Sequence, residues 1–85
     1  MKLDKNNVSD FIQAVENYSH ESTLTNGQKL FNALSTISPA IADSVVMTTA
    51  DPFYLDENIE EFLARTLNEE ALQIWYGHYI SEIYK

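Results

Sequence analysis

"TNGQKLFNALSTISP", Thr25 to Pro39, is the stretch that decides the fold class. Thr25 and Gln28 have the spacing of a capping box, in which each side chain satisfies an orphan backbone N–H of the other at a helix start. Leu30, Phe31, Leu34 and Ile37 then recur at three-and-four spacing, the signature of one apolar helix face. Ser38-Pro39 closes the segment and opens another, because a proline without an N–H fits the first turn of a helix. One stretch therefore supplies a start, a body, a stop and a second start, all helical.

Toward the C-terminus, the next helix is short, roughly Pro39 to Met47, with Ile41, Val45 and Val46 inward. Asp51-Pro52 repeats the cap-then-proline device, which predicts that "DPFYL" forms one tight helical turn with Phe53 in the core and Tyr54 near the surface. Asp56 is the expected cap of the fourth helix, which buries Ile59, Phe62, Leu63 and Leu67. Asn68 caps the last helix, and Glu69 and Glu70 occupy its first turn. There Leu72, Trp75, Tyr76, Tyr79, Ile80, Ile83 and Tyr84 cover about half the circumference, wider than the roughly 100° stripe of a surface helix. That helix is either central to the core or serves both a core and a partner. Gly77 in its middle costs about 1 kcal/mol relative to alanine, so a neighbouring backbone is expected to approach it closely.

Toward the N-terminus, "SHESTLTNG" is polar and reads as a loop. Before it, Val8, Phe11, Ile12, Val15 and Tyr18 mark the face of a helix that starts at the cap Asn7, carries Asp10 in its first turn and ends around Ser19. Glycine and proline are scarce and β-branched alternation is absent. The expectation is an all-α chain: a compact bundle of four main helices plus one short helix, with no β-sheet and with residues 1–85 forming one acidic domain.

The charge is the strongest compositional signal, thirteen acids against five basic residues. Lys2, Lys5 and Lys85 lie at the chain ends, so between Asn6 and Tyr84 only Lys29 and Arg65 oppose twelve acids. Such a surface repels nucleic-acid phosphates and anionic membranes, which disfavours direct DNA, RNA or lipid-headgroup binding. It serves solubility, or it attracts a basic surface on another protein. With no cysteine there is no disulfide scaffold and no Cys-ligated metal. The opening "MKLDKNNVSDFIQ" lacks an apolar run of signal-peptide length and no stretch approaches the roughly 18 apolar residues of a membrane span, so a cytoplasmic location is expected.

Catalytic chemistry finds few carriers. His20 falls in a loop and His78 on the polar side of the last helix; both read as solvated surface histidines. "DENIEE" puts Asp56, Asn58 and Glu60 at the first alternating positions of a calcium loop. The glycine required at the sixth position is Glu61 and the glutamate required at the twelfth is Leu67, so that motif fails. Glu61 and Arg65 instead suit an i,i+4 pair. Phosphate-cradling glycine loops are also missing. The chain is expected not to be an enzyme and to hold no cofactor or metal.

The acids admit two readings. Asp56, Glu57, Glu69 and Glu70 stand near helix N-termini, where negative charge is stabilising by about 0.3–1 kcal/mol each. Helix electrostatics leaves unexplained why basic partners are missing from the polar faces, since Asp51 to Glu70 holds seven acids and one arginine. The functional reading is an acidic partner-binding face of Asp56, Glu57, Glu60, Glu61, Glu69 and Glu70, with Tyr54 beside it as an aromatic anchor suited to meeting arginine.

"GQKLFNALSTISPAIADSVVMTTADPFYLDENIEEFL", Gly27 to Leu63, resembles a recurring pattern in small phage and mobile-element proteins of unassigned activity: a G-Q-x-L-F-N-A-L start, a short second helix, then D-P-F-Y and an acidic helix. It covers somewhat under half the chain and brings no activity, cofactor or functional residue with it. The resemblance implies a phage-encoded protein in a host cytoplasm that occludes a host protein, in one form by imitating the charge spacing of DNA. The leading expectation is therefore a protein that masks a partner with a basic, nucleic-acid-binding surface. The alternative is a structural or assembly module, a homodimer joined through the aromatic last helix with Trp75 or Tyr79 at its centre, although Trp75 also reads as plain core. On either reading the chain is a monomer or a homodimer.

Overall fold

A computed structural model describes the backbone of residues 1–83 and the side chains of residues 1–78. The helices are α1 (Val8–Tyr18), α2 (Asn26–Ile37), α3 (Pro39–Asp43), α4 (Ile59–Thr66) and α5 (Glu69–Ile83), with a 3₁₀ turn at Asp56–Asn58 ahead of α4. This is the all-α arrangement of four main helices and a short one, without a sheet among the described residues.

The α2 start forms as its spacing predicts. The Thr25 N–H donates to Gln28 Oε1 and the Gln28 N–H to Thr25 Oγ1, both at 3.1 Å. Ser38 accepts from the Ile41 N–H with Pro39 in the first turn of α3. Asn68 accepts from the Ala71 N–H at the head of α5. These devices join residues three apart, and each completes itself locally.

α1 starts differently from the expectation. Asn7 makes no capping bond to its own helix; its Oδ1 accepts the Asp4 N–H at 2.7 Å, while Asp4 Oδ1 accepts the Asn6 N–H. The side-chain bonds thus sit one turn earlier and tie down the N-terminal arm. That arm is further fixed by an isolated parallel bridge, with the Leu3 N–H on Thr66 O and the Asn68 N–H on Leu3 O. Leu3 is almost fully buried, a core contribution that a two-residue bridge gives no periodic pattern to reveal.

The core gathers Val8, Phe11, Ile12 and Val15 of α1 with Leu30, Ala33 and Leu34 of α2, Ile41 of α3, Phe62 and Leu63 of α4, and Trp75 of α5. α1 packs most extensively on α2, and α5 lies across α1, where Phe11 stacks on Trp75 with ring centroids 5.0 Å apart. Trp75 is plain core. Tyr76 and Ile74, however, are exposed, so the described part of α5 turns only a narrow face inward. Tyr79, Ile80, Ile83 and Tyr84, assigned to that face from the sequence, lie outside the residues whose side chains are described.

The glycine expectation is reversed. Among the described residues a Cβ at Gly77 would meet nothing within 4 Å, so none of their backbone approaches it closely. Gly27 in the first turn of α2 is the crowded one: its absent side chain leaves room for the Pro52 carbonyl, and a Cβ would also lie 2.9 Å from Asp56 Oδ1.

Candidate protein-binding surface

The segment that closes against Gly27 departs most from its sequence reading. α3 ends at Asp43, four residues short of the expected Met47, and the chain continues in turns. Met47 takes a left-handed φ of 63°, rare for a residue with a β-carbon. The cause is Asp51. Its Oδ2 accepts the Met47 N–H at 2.8 Å and its Oδ1 the Phe53 N–H at 3.0 Å, so this buried carboxylate staples the turn on both sides. With Asp51 committed in this way, "DPFYL" is not a helical turn but an irregular connection.

Asp56 is likewise not the cap of the fourth segment. Its Oδ1 accepts the Gly27 N–H at 2.9 Å, capping α2 from 29 residues away. α4 itself starts without a side-chain cap, and the nearby Asn58 side chain donates to Asp51 O instead. Asp56 is therefore partly structural. Asp56→Ala is expected to cost about 1 kcal/mol through the lost cap, against changes within about 0.5 kcal/mol for Glu57→Ala. Urea denaturation of the two variants checks this.

The six predicted carboxylates have different surroundings. Glu61 pairs with Arg65 at 2.9 Å, as its i,i+4 spacing predicts, and Glu70 stands 3.9 Å from Lys5. Both pairs are solvent-exposed and contribute little stability, about 0–1 kcal/mol. Glu57, Glu60 and Glu69 are exposed and have no ion-pair partner among the described residues. Helical spacing puts Glu57 three and four residues before Glu60 and Glu61, hence on one side of the α4 start. Lys29, the remaining mid-chain cation, donates to Ser19 O on the other side of the loop before α2.

Tyr54 is 76% exposed, as its surface assignment requires, and its ring meets Phe53 edge-on at 5.1 Å. Phe53 is half-buried rather than core and packs edge-on against Phe31 at 5.8 Å. Val46, expected inward, is exposed, and Met47 is 82% exposed. Phe31, Val46, Met47, Asp51, Phe53 and Tyr54 together line a groove of about 220 Å³. The sequence reading missed this groove except for its two aromatics, because it depends on the Asp51 staple.

His20 is exposed, while His78 is half-buried with its Nε2 3.1 Å from Glu16 Oε1, across the α1–α5 seam. Among the described residues no three His, Asp or Glu side chains converge as metal ligands, and no helix is long and apolar enough to cross a membrane. Compared with models of known protein families, with curated proteins and with solved structures, the chain matches none.

Proposed function

We propose that this is a binding protein, not an enzyme, that masks a basic surface on a partner protein. The acidic start of α4 and head of α5 dock against that surface, with Tyr54 as the aromatic anchor. The observation that carries the reading is the exposure of Tyr54, two residues ahead of Asp56 and three ahead of Glu57 in the chain, together with the exposure of Glu57, Glu60 and Glu69, which have no ion-pair partner among the described residues. An exposed ring close in the chain to such charges suits a guanidinium, and electrostatics of this kind sets on-rate and partner choice. The resemblance of Gly27–Leu63 to phage proteins supports a host protein as the partner, and the charge supports a nucleic-acid-binding one mimicked through its DNA site.

The triple reversal Glu57→Lys, Glu60→Lys and Glu61→Lys tests it by affinity capture from native extract with mass spectrometry. Capture of the specific partner is expected to fall at least roughly tenfold while the variant stays folded by circular dichroism. Raising salt should weaken wild-type capture in the same direction, since exposed charges are screened beyond a Debye length of about 8–10 Å. Unchanged capture with the triple variant rules the face out.

The homodimer reading has one observation in its favour, the exposure of Ile74 and Tyr76 on α5. Trp75 is already occupied by Phe11 and is not its contact. A monomer by light scattering at tens of micromolar removes it.

A further inference from the structure

We infer that the groove between Met47 and Tyr54 receives an apolar or aromatic side chain carried on a basic segment of the partner protein. The sign of that segment's charge rests on the proposed function; the groove itself is a separate set of atoms from the α4–α5 carboxylates.

Its size points to a side chain as occupant. At about 220 Å³ it is smaller than the roughly 300–1,000 Å³ of small-molecule sites. Val46, Met47 and Tyr54 are exposed at it, while Phe31 and Phe53 are half-buried and meet edge-on. Met47 is an adaptable contact residue, able to re-pack around an inserted group. Its left-handed backbone is held in place by the Asp51 carboxylate, which accepts its N–H. The same carboxylate binds the Phe53 N–H, so one buried group sets both sides of the groove.

Charge identifies what carries the occupant. Among the described residues Asp51 is the one charged residue that lines the groove, and the chain as a whole carries thirteen acids against five basic residues. An apolar side chain flanked by lysine and arginine is drawn to such a site, and one flanked by acids is repelled. The exposed Tyr54 ring gives a flanking arginine a face to stack on.

The test titrates the ¹⁵N-labelled full chain with three synthetic peptides: Lys-Arg-Lys-Trp-Lys-Arg-Lys, the same peptide with alanine for tryptophan, and Glu-Asp-Glu-Trp-Glu-Asp-Glu. The basic tryptophan peptide is expected to move the amide signals of Met47, Phe53 and Tyr54 and to bind roughly tenfold tighter than its alanine counterpart, with no shifts from the acidic one. Met47→Gly, a residue that accepts the left-handed φ, should keep the fold and bring the two basic peptides within about threefold of each other. Equal binding of both basic peptides to the wild type, or an unchanged ratio in the glycine variant, overturns the groove. If those peptides still move the Glu57, Glu60 and Glu61 amides, the acidic face survives alone; if neither binds, both readings fall. Comparable binding of the acidic peptide overturns the inference too. So do concentration-dependent shifts at Met47 and Tyr54 without peptide, which would make a second copy the occupant.

Discussion

Gly27→Ala is expected to destabilise the fold by about 3 kcal/mol, while the same change at Gly77 stabilises it by up to about 1 kcal/mol. Both glycines are helical and neither has a positive φ, so intrinsic propensity favours alanine at each. Surroundings decide the sign. At Gly77 the new methyl meets none of the described residues within 4 Å. At Gly27 it collides with the Pro52 carbonyl, and it also presses on Asp56 Oδ1 at 2.9 Å. A backbone carbonyl cannot swing aside as the end of a long side chain can, so either α2 or the 51–56 connection must move. Movement of either lengthens the Gly27 N–H to Asp56 bond, which adds the loss of a cap to the clash. In thermal unfolding this amounts to a fall of roughly 12–24 °C, since each kcal/mol is about 4–8 °C for a chain of this size. Equal midpoints for the two alanine variants would show that the connection yields and that Gly27 is not a packing requirement. The clash also reaches the proposed groove, because Asp51 and Pro52 are consecutive; a Gly27→Ala chain that folds should show altered Met47 and Phe53 amide signals.

The same pair of glycines marks where sequence reasoning stopped. Thr25 with Gln28, Ser38 with Pro39 and Asn68 with Ala71 were legible because each device closes within three residues. The helix count and the inward faces of α1, α2 and α4 followed from the same local periodicity. Asp51-Pro52 offers the same cap-then-proline pattern as Ser38-Pro39, yet Asp51 bonds backward to Met47 as well as forward to Phe53, and a local pattern does not say which direction a carboxylate will take. Asp56 stood at the head of its own helix in the sequence reading and instead reached Gly27, a partner visible only once α2 and the connection are packed together. Glu61 was legible because i,i+4 pairing is again a local property, and Tyr54 is exposed as expected although the helical turn it was assigned to does not form.

Phe11→Ala should cost about 3–5 kcal/mol, the upper range for a single core truncation. Phe11 is wholly buried and stacks on Trp75 at 5.0 Å with 24° between ring planes. Truncation opens a cavity and removes an aromatic pair that contributes about 0.5–1.5 kcal/mol beyond its buried area. Against a total of about 4–13 kcal/mol for 85 residues, that loss leaves little margin. Trp75 is the sole tryptophan, so its emission reports the α1–α5 seam directly and should shift to the red as the midpoint in urea falls. Phe11→Leu separates the two contributions: it keeps most of the burial and loses the stacking, with an expected cost of about 1 kcal/mol. A truncation cost below about 1 kcal/mol would mean that α5 is held by other contacts, such as His78 on Glu16. The seam matters for binding because α5 carries Glu69 and Glu70. A partner that reads the acids of α4 and α5 together should bind the leucine variant normally and the alanine variant poorly, even at temperatures where α2 and α4 remain folded.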